Sequence, residues 1–220
     1  MENIKYTHII KPGLKNIYIR IGKNGEVVLK CSPSMQKESI EFLHKKLKWI
    51  EKTLQRLKDV DIRQNIYKND GCVWFLGKKY PLVFIRHDKK RAKLSFDNEK
   101  FYFYHIDSSE ECEKSIDKFY KQEAKRLFVK RVEYYSEKMG LYPKDIKFRK
   151  TKRRLGSCTY DDILTFNYLA VKLSVYEIDY IVVHELAHIK EKNHSKDFWE
   201  IVSQEFPNYK DIRKNITLSL

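Results

Sequence analysis

Residues 184–188 read His184-Glu185-Leu186-Ala187-His188, and His194 follows six positions later. No other feature restricts the folding of this chain as much. Two histidines four apart aim both imidazoles at one point when the segment is an α-helix, because residues one turn apart stand on one face. The surroundings agree. Ile178, Ile181, Val182, Leu186 and Ile189 recur at helical spacing, and Ser174 with Glu177 has the capping-box spacing that opens a helix. Zinc accepts imidazole nitrogens at about 2.0–2.1 Å, and a catalytic zinc has three protein ligands and one open position. His184 and His188 are candidates for two. His194 lies past an expected helix end at Lys192-Asn193, where asparagine tolerates the left-handed backbone that turns a chain back, so it can complete the trio. Glu185 neighbours a ligand and is suited to take a proton from water, which makes it the candidate general base. One constellation implies one Zn²⁺ per chain. A structural zinc would normally have four Cys or His ligands.

The remaining sequence predicts a mixed α+β chain. Ile17, Ile19 and Ile21, the turn Asn24-Gly25, and Val27 to Leu29 read as a hairpin. Ile40, Leu43, Leu47, Ile50, Leu54 and Leu57 form one face of a helix. Residues 72–104 carry short β-branched and aromatic runs, with turns at Gly77-Lys78-Lys79 and Asp97-Asn98. Ser108 with Glu111 opens a long helix that Gly140 closes. Strands are expected near 146–150 and 163–167, and a last helix is capped by Ser195 and ended by Pro207. These elements divide into a β-rich region with one long helix, 1–107, and a helical region carrying the histidines, 108–220.

Composition narrows the setting. The four cysteines are scattered with no C-x-x-C pair, which reads as reduced thiols in a cytoplasmic protein. No apolar run approaches the ~18 residues that span a bilayer, so no membrane role is expected. The net charge of +15 fits either a lysine-rich composition or an acidic or nucleic-acid partner. Lys144, Lys147, Arg149, Lys150, Lys152, Arg153 and Arg154 crowd into one stretch beside the histidine region, a candidate site for phosphates or acidic peptide segments.

The ligand spacing is that of the metzincin proteases, but Glu191 stands where they have a turn glycine and no methionine follows the motif. Another family fits better. Leu155-Gly156-Ser157-Cys158, Asn167-Tyr168-Leu169, Ile178 to His188, Asn193-His194-Ser195 and Phe198-Trp199 together resemble the YgjP-like metallopeptidases, zincins related to the SprT and Spartan proteases. The resemblance is dense over about 146–202 and looser in the N-terminal half, where Trp49-Ile50 and Leu76-Gly77-Lys78-Lys79-Tyr80 carry it. It implies a zincin-like fold, zinc on His184, His188 and His194, Glu185 as general base, and a peptide or protein substrate. It also implies a strand at Gly156-Ser157-Cys158 beside the cleft, with an edge open to peptide pairing. Leu155 departs from the family's usual tryptophan. Tyr168, Tyr180, Arg153 and Arg154 are candidates for a second electrophile. Rival readings are a hydrolase of non-peptide amides or esters, and a basic nucleic-acid-associated protein, either a SprT-like protease acting on DNA-bound proteins or a binding module with structural zinc.

Overall fold

The computed structural model describes residues 4–22, 24–59, 63–88, 91–105, 110–151 and 154–219. It is an α+β structure of three small sheets and six α-helices among the described residues. The chain forms two compact units, 1–62 with 217–220, and 63–216.

In the first unit, β1 (Tyr6–Ile10), β2 (Tyr18–Ile21) and β3 (Val27–Cys31) form a sheet ordered β1-β3-β2. The β2–β3 pair is the expected hairpin, with Gly25 at φ +80° in its turn. The apolar helical pattern is split between α1 (Gln36–Lys45) and α2 (Leu47–Asp59). Lys46 interrupts it at φ −102°, ψ 2°. Ile50 N still donates to Lys46 O at 2.9 Å, so the break keeps the helical phase and leaves no mark in the hydrophobic spacing. Val27, Leu29, Leu43 and Ile50 form this unit's buried core.

The second unit begins with β4 (Gly71–Phe75), β5 (Lys78–Arg86), β6 (Lys93–Phe96) and β7 (Phe101–His105), ordered β4-β5-β7-β6. Leu76 and Gly77 turn the first hairpin at φ +48° and +78°, and Asn98 turns the second pair at φ +74°. The 30-residue α3 (Glu110–Met139) packs on this sheet. Phe119 of α3 meets Phe75 and Phe101 edge-on at 5.1 and 5.2 Å, and Phe96 stacks on Phe101 at 4.3 Å. Fully burying one such ring contributes about 1.5–3 kcal/mol, and edge-on pairs add to it. The compact unit that holds this sheet also holds α3 and begins at Arg63, whereas the sequence reading places a division at 107/108. The expected Ser108 cap lies outside the described residues.

A third sheet follows: β8 (Asp145–Arg149), β9 (Gly156–Cys158) and β10 (Ile163–Asn167), ordered β8-β10-β9, so β9 is an edge. Phe148 and Phe166 face Phe128 of α3. Then come α4 (Val175–Lys190), α5 (Lys196–Glu205) and α6 (Tyr209–Ser219). None of the described helices is long and apolar enough to cross a membrane.

Candidate metal centre

The site is built on α4. Ser174 caps it reciprocally: its hydroxyl accepts from Glu177 N at 3.3 Å, and Glu177 Oε2 accepts from Ser174 N at 2.8 Å. Asp179 accepts two bonds from Arg131 of α3, at 2.5 and 2.6 Å, which fixes the helix's rotation. Ile178, Ile181, Val182, Val183, Leu186 and Ala187 are buried, leaving His184 and His188 on the half-buried face one turn apart.

Helix α4 ends at Lys190, two residues earlier than the sequence suggests, and Glu191 leaves it in extended backbone at φ −120°, ψ 102°. The turn therefore needs no left-handed residue. This explains why glutamate is tolerated where a glycine is often required, and it corrects the expectation for Asn193, which is not among the positive-φ residues. Lys192 ties the loop down, donating to Asp162 at 2.6 Å and to Thr159 O at 3.2 Å in the β9–β10 turn. His194 is thereby carried back over α4. The first residue after it, Ser195, caps α5 by accepting from Phe198 N at 3.2 Å.

The three candidate ligand histidines meet. One nitrogen from each of His184, His188 and His194 lies within 4.8 Å of the others. The Nε2 atoms of His184 and His194 are 3.0 Å apart. His188 Nδ1 lies 2.9 Å from the Glu191 carbonyl, which can only accept, so the proton sits on Nδ1 and the Nε2 lone pair is free. A tetrahedral ion 2.0–2.1 Å from each nitrogen would hold them about 3.3 Å apart. Three imidazole nitrogens are a donor set for a transition-metal ion, and the 3.0 Å between His184 and His194 is close to that spacing. Among the described residues no fourth His, Cys, Asp or Glu joins the group, so neither Cys158 nor Glu185 completes a closed tetrahedron.

Burial and charge keep these imidazoles neutral, the form that binds metal. Desolvation, then His188 and His194, then Arg213, lower the His184 pKa to about 3. His188 is lowered mainly by burial, with the Glu191 carbonyl opposing, and His194 by burial, His188 and Arg213. Glu185 points the other way. It is only 6% exposed, and desolvation raises its carboxyl to about 8 against the pull of Arg154.

The aromatic surround was not anticipated as part of the site. Phe198 stacks on His188 at 4.4 Å and meets His184 edge-on at 4.9 Å. Trp199 stacks on His194 at 5.5 Å, Tyr209 on Trp199 at 4.7 Å, and the Arg213 guanidinium lies 5.5 Å from the Trp199 ring. Phe198 and Trp199 were legible through the family resemblance but not as ring partners of the histidines, and nothing in the spacing signals Tyr209 or Arg213.

The other expected residues separate. Tyr180 packs beside His184 at 5.9 Å, with its phenol raised to about 12 by burial. The Tyr168 hydroxyl donates to Asp117 at 3.3 Å. Arg153 and Lys152 lie outside the described residues. Within the basic run, Lys147 pairs with Asp145, and Lys150 with Asp117 and Glu113. Cys158 is half-buried on β9, and burial raises its thiol pKa.

No curated protein matches the chain. Solved structures similar to it include the metallopeptidase zymogen of Pyrococcus abyssi abylysin, at 26% identity and a TM-score of 0.40, covering 42% of this chain and 94% of that one. The metallopeptidase zymogen of Methanocaldococcus jannaschii jannalysin matches at 22% identity and a TM-score of 0.39, covering 42% and 89%. The model of the YgjP-like metallopeptidase domain matches residues 15–217, nearly the whole length, and the chain belongs to that family.

Proposed function

We propose that this chain is a zinc peptidase with a zincin-like catalytic region, in which His184, His188 and His194 hold the metal and Glu185 is the general base. The observation that carries this reading is the convergence of three neutral imidazoles beside a buried carboxyl on the same helix. When bound, zinc supplies Lewis-acid polarisation of a carbonyl and makes a nearby water easier to deprotonate.

Glu185 accepts the proton of the attacking water on a carboxylate oxygen and passes it to the departing amide nitrogen. A group that both takes and returns a proton works best with a pKa near the working pH. Burial moves Glu185 in that direction, and Arg154 restrains the rise, as a bound dication would. His188 is held in one tautomer by the Glu191 carbonyl, and Phe198 and Trp199 stack on the imidazoles of His188 and His194. The free edge of β9 can pair with an extended peptide, because Gly156 lies against Glu185 and a chain aligned there passes the carboxyl.

The test separates ligand from base. Glu185→Gln should keep about one zinc per chain while hydrolysis falls by ~10²-fold or more. His184→Ala or His188→Ala should lose tight zinc binding. Full zinc in both histidine variants, or undiminished cleavage by Glu185→Gln, would overturn the assignment.

A further inference from the structure

A cavity of about 170 Å³ opens at the end of the third sheet, lined by Arg149, Thr151, Arg154, Gly156, Ser157 and Thr165 among others. It far exceeds the ~10–15 Å³ that admits one water. Its position follows from the register. Arg149 sits opposite Asn167, and Ser157 opposite Thr165, so Arg149, Thr165 and Ser157 share one face of the sheet. Gly156 has the opposite parity and backs directly onto Glu185, so the thickness of one glycine separates the cavity from the carboxyl.

The cavity is cationic. Lys147 and Lys150 have carboxylate partners, but among the described residues neither Arg149 nor Arg154 has a carboxylate within ion-pair distance. Thr151 and Arg154 are tied to each other and to Asn167 of β10. Asn167 Nδ2 donates to the carbonyls of Thr151 and Arg154 at 3.0 and 3.2 Å, the Thr151 hydroxyl donates to Arg154 O, and Asn167 N donates to Leu155 O at 2.8 Å. Two guanidiniums without a carboxylate at ion-pair distance, with Ser and Thr hydroxyls alongside, suit a planar anion that accepts forked hydrogen bonds.

We propose that this cavity is a substrate subsite for a carboxylate, supplied by an Asp or Glu side chain or by a peptide C-terminus. The inference rests on the peptidase reading and sharpens it. Side chains of a strand-paired peptide alternate between faces. The substrate residue lying across from Ser157 would send its side chain to the cavity face, while its neighbours face Glu185. Cleavage should therefore fall within about two residues of the recognised carboxylate. A duplex DNA backbone would need a longer track of free cations than two arginines at the mouth of one pocket.

The test uses four heptapeptides of one Ala/Val/Tyr sequence, with central Glu or Gln and a C-terminal acid or amide. Binding to the zinc-loaded Glu185→Gln chain is measured by calorimetry, and cleavage by the parent chain is mapped by mass spectrometry. A charge-assisted fork predicts at least tenfold tighter binding of a carboxylate peptide than of the Gln amide. Preference for central Glu assigns a side-chain source, and preference for the C-terminal acid assigns a terminal one. Arg149→Gln and Arg154→Gln, each placed in the Glu185→Gln chain, should reduce the preference to threefold or less with zinc content and melting temperature unchanged. Equal binding of all four peptides, or a preference that survives both arginine substitutions, overturns the subsite. So does loss of 20-base-pair duplex binding in the arginine variants without any peptide preference, which would assign the arginines to phosphate. Parent cleavage of all four peptides at one rate leaves the peptidase reading standing without the subsite. Arginine-dependent binding with no cleavage by the parent does the reverse.

Discussion

Gly156→Ala probes the contact between the edge strand and Glu185. A Cβ at Gly156 would stand 2.5 Å from Glu185 Oε1, 2.6 Å from Cγ and 2.7 Å from Cδ, well inside the 3.4 Å at which ordinary contact begins. The carboxyl would have to retreat by roughly 0.7–0.9 Å. Gly156 pairs with Phe166 in regular β9 geometry without a positive φ, so alanine adds no backbone strain there. Crowding a packed site costs about 1–3 kcal/mol, and restricting the unfolded chain returns about 0.4–1 kcal/mol. The net loss of about 1–2 kcal/mol should lower the melting temperature by a few degrees. Activity should suffer more, because a misplacement near 1 Å costs on the order of 10²-fold. Zinc content, melting temperature and the kcat and KM for a fluorogenic peptide should be measured on the same preparation. The expected outcome is full zinc, a folded protein, a kcat reduced about 10²-fold and little change in KM. Gly156→Ala should add almost nothing in a Glu185→Gln background, since both act on one carboxyl. A kcat within threefold of the parent, or losses that multiply in the double variant, would refute the placement of the base against β9.

Arg131→Ala leaves the Asp179 carboxylate, 10% exposed as a side chain, without its guanidinium and should destabilise the fold by about 2–4 kcal/mol in urea melts. The paired substitution Arg131→Met with Asp179→Leu should recover most of that loss; failure to recover would mean that the bond does more than hold α4 in place. In the metal-free protein, burial keeps the His184 pKa at about 3 instead of 6.5, so the unfolded chain takes up the proton first. The stability carried by neutral His184 is then whole above pH 6.5 and is lost as pH falls toward 3, by about 2 kcal/mol between pH 7 and pH 5. His184→Phe should remove that part of the acid sensitivity, and an unchanged pH dependence would rule His184 out as its source.

Helix α4 was legible because three independent signals coincide: the Ser174/Glu177 cap, the apolar stripe from Ile178 to Leu186, and two histidines one turn apart. His194 was legible by spacing, but the route to it was not. Spacing cannot register that Glu191 turns the chain in extended backbone, or that Lys192 anchors the loop to Asp162. The parallel pairing of β1 with β3 and of β5 with β7 was equally hidden, since alternation reveals a strand but not its partner. The basic run read as a single charged feature. The pairing of Lys150 depends on Asp117 and Glu113 of α3, more than thirty positions earlier, which no local window contains.

The β4–β5 hairpin reaches the start of α4. Leu76 N donates to Val171 O at 2.7 Å and Gly77 N to Lys172 O at 3.1 Å, and a Cβ on Gly77 would fall 2.9 Å from Ser174 Cβ. On the far side of the same sheet the Tyr120 hydroxyl, deep in α3, bonds to Trp74 O and Asn65. A fragment beginning at residue 108 would keep every histidine of the motif yet lose this scaffold. Two carbonyls ahead of the α4 cap would lose their donors, and a buried phenol would lose its acceptors. The compact unit that carries the histidines starts at Arg63, and changes at the hairpin tip, far from the histidines in sequence, bear on how α4 begins.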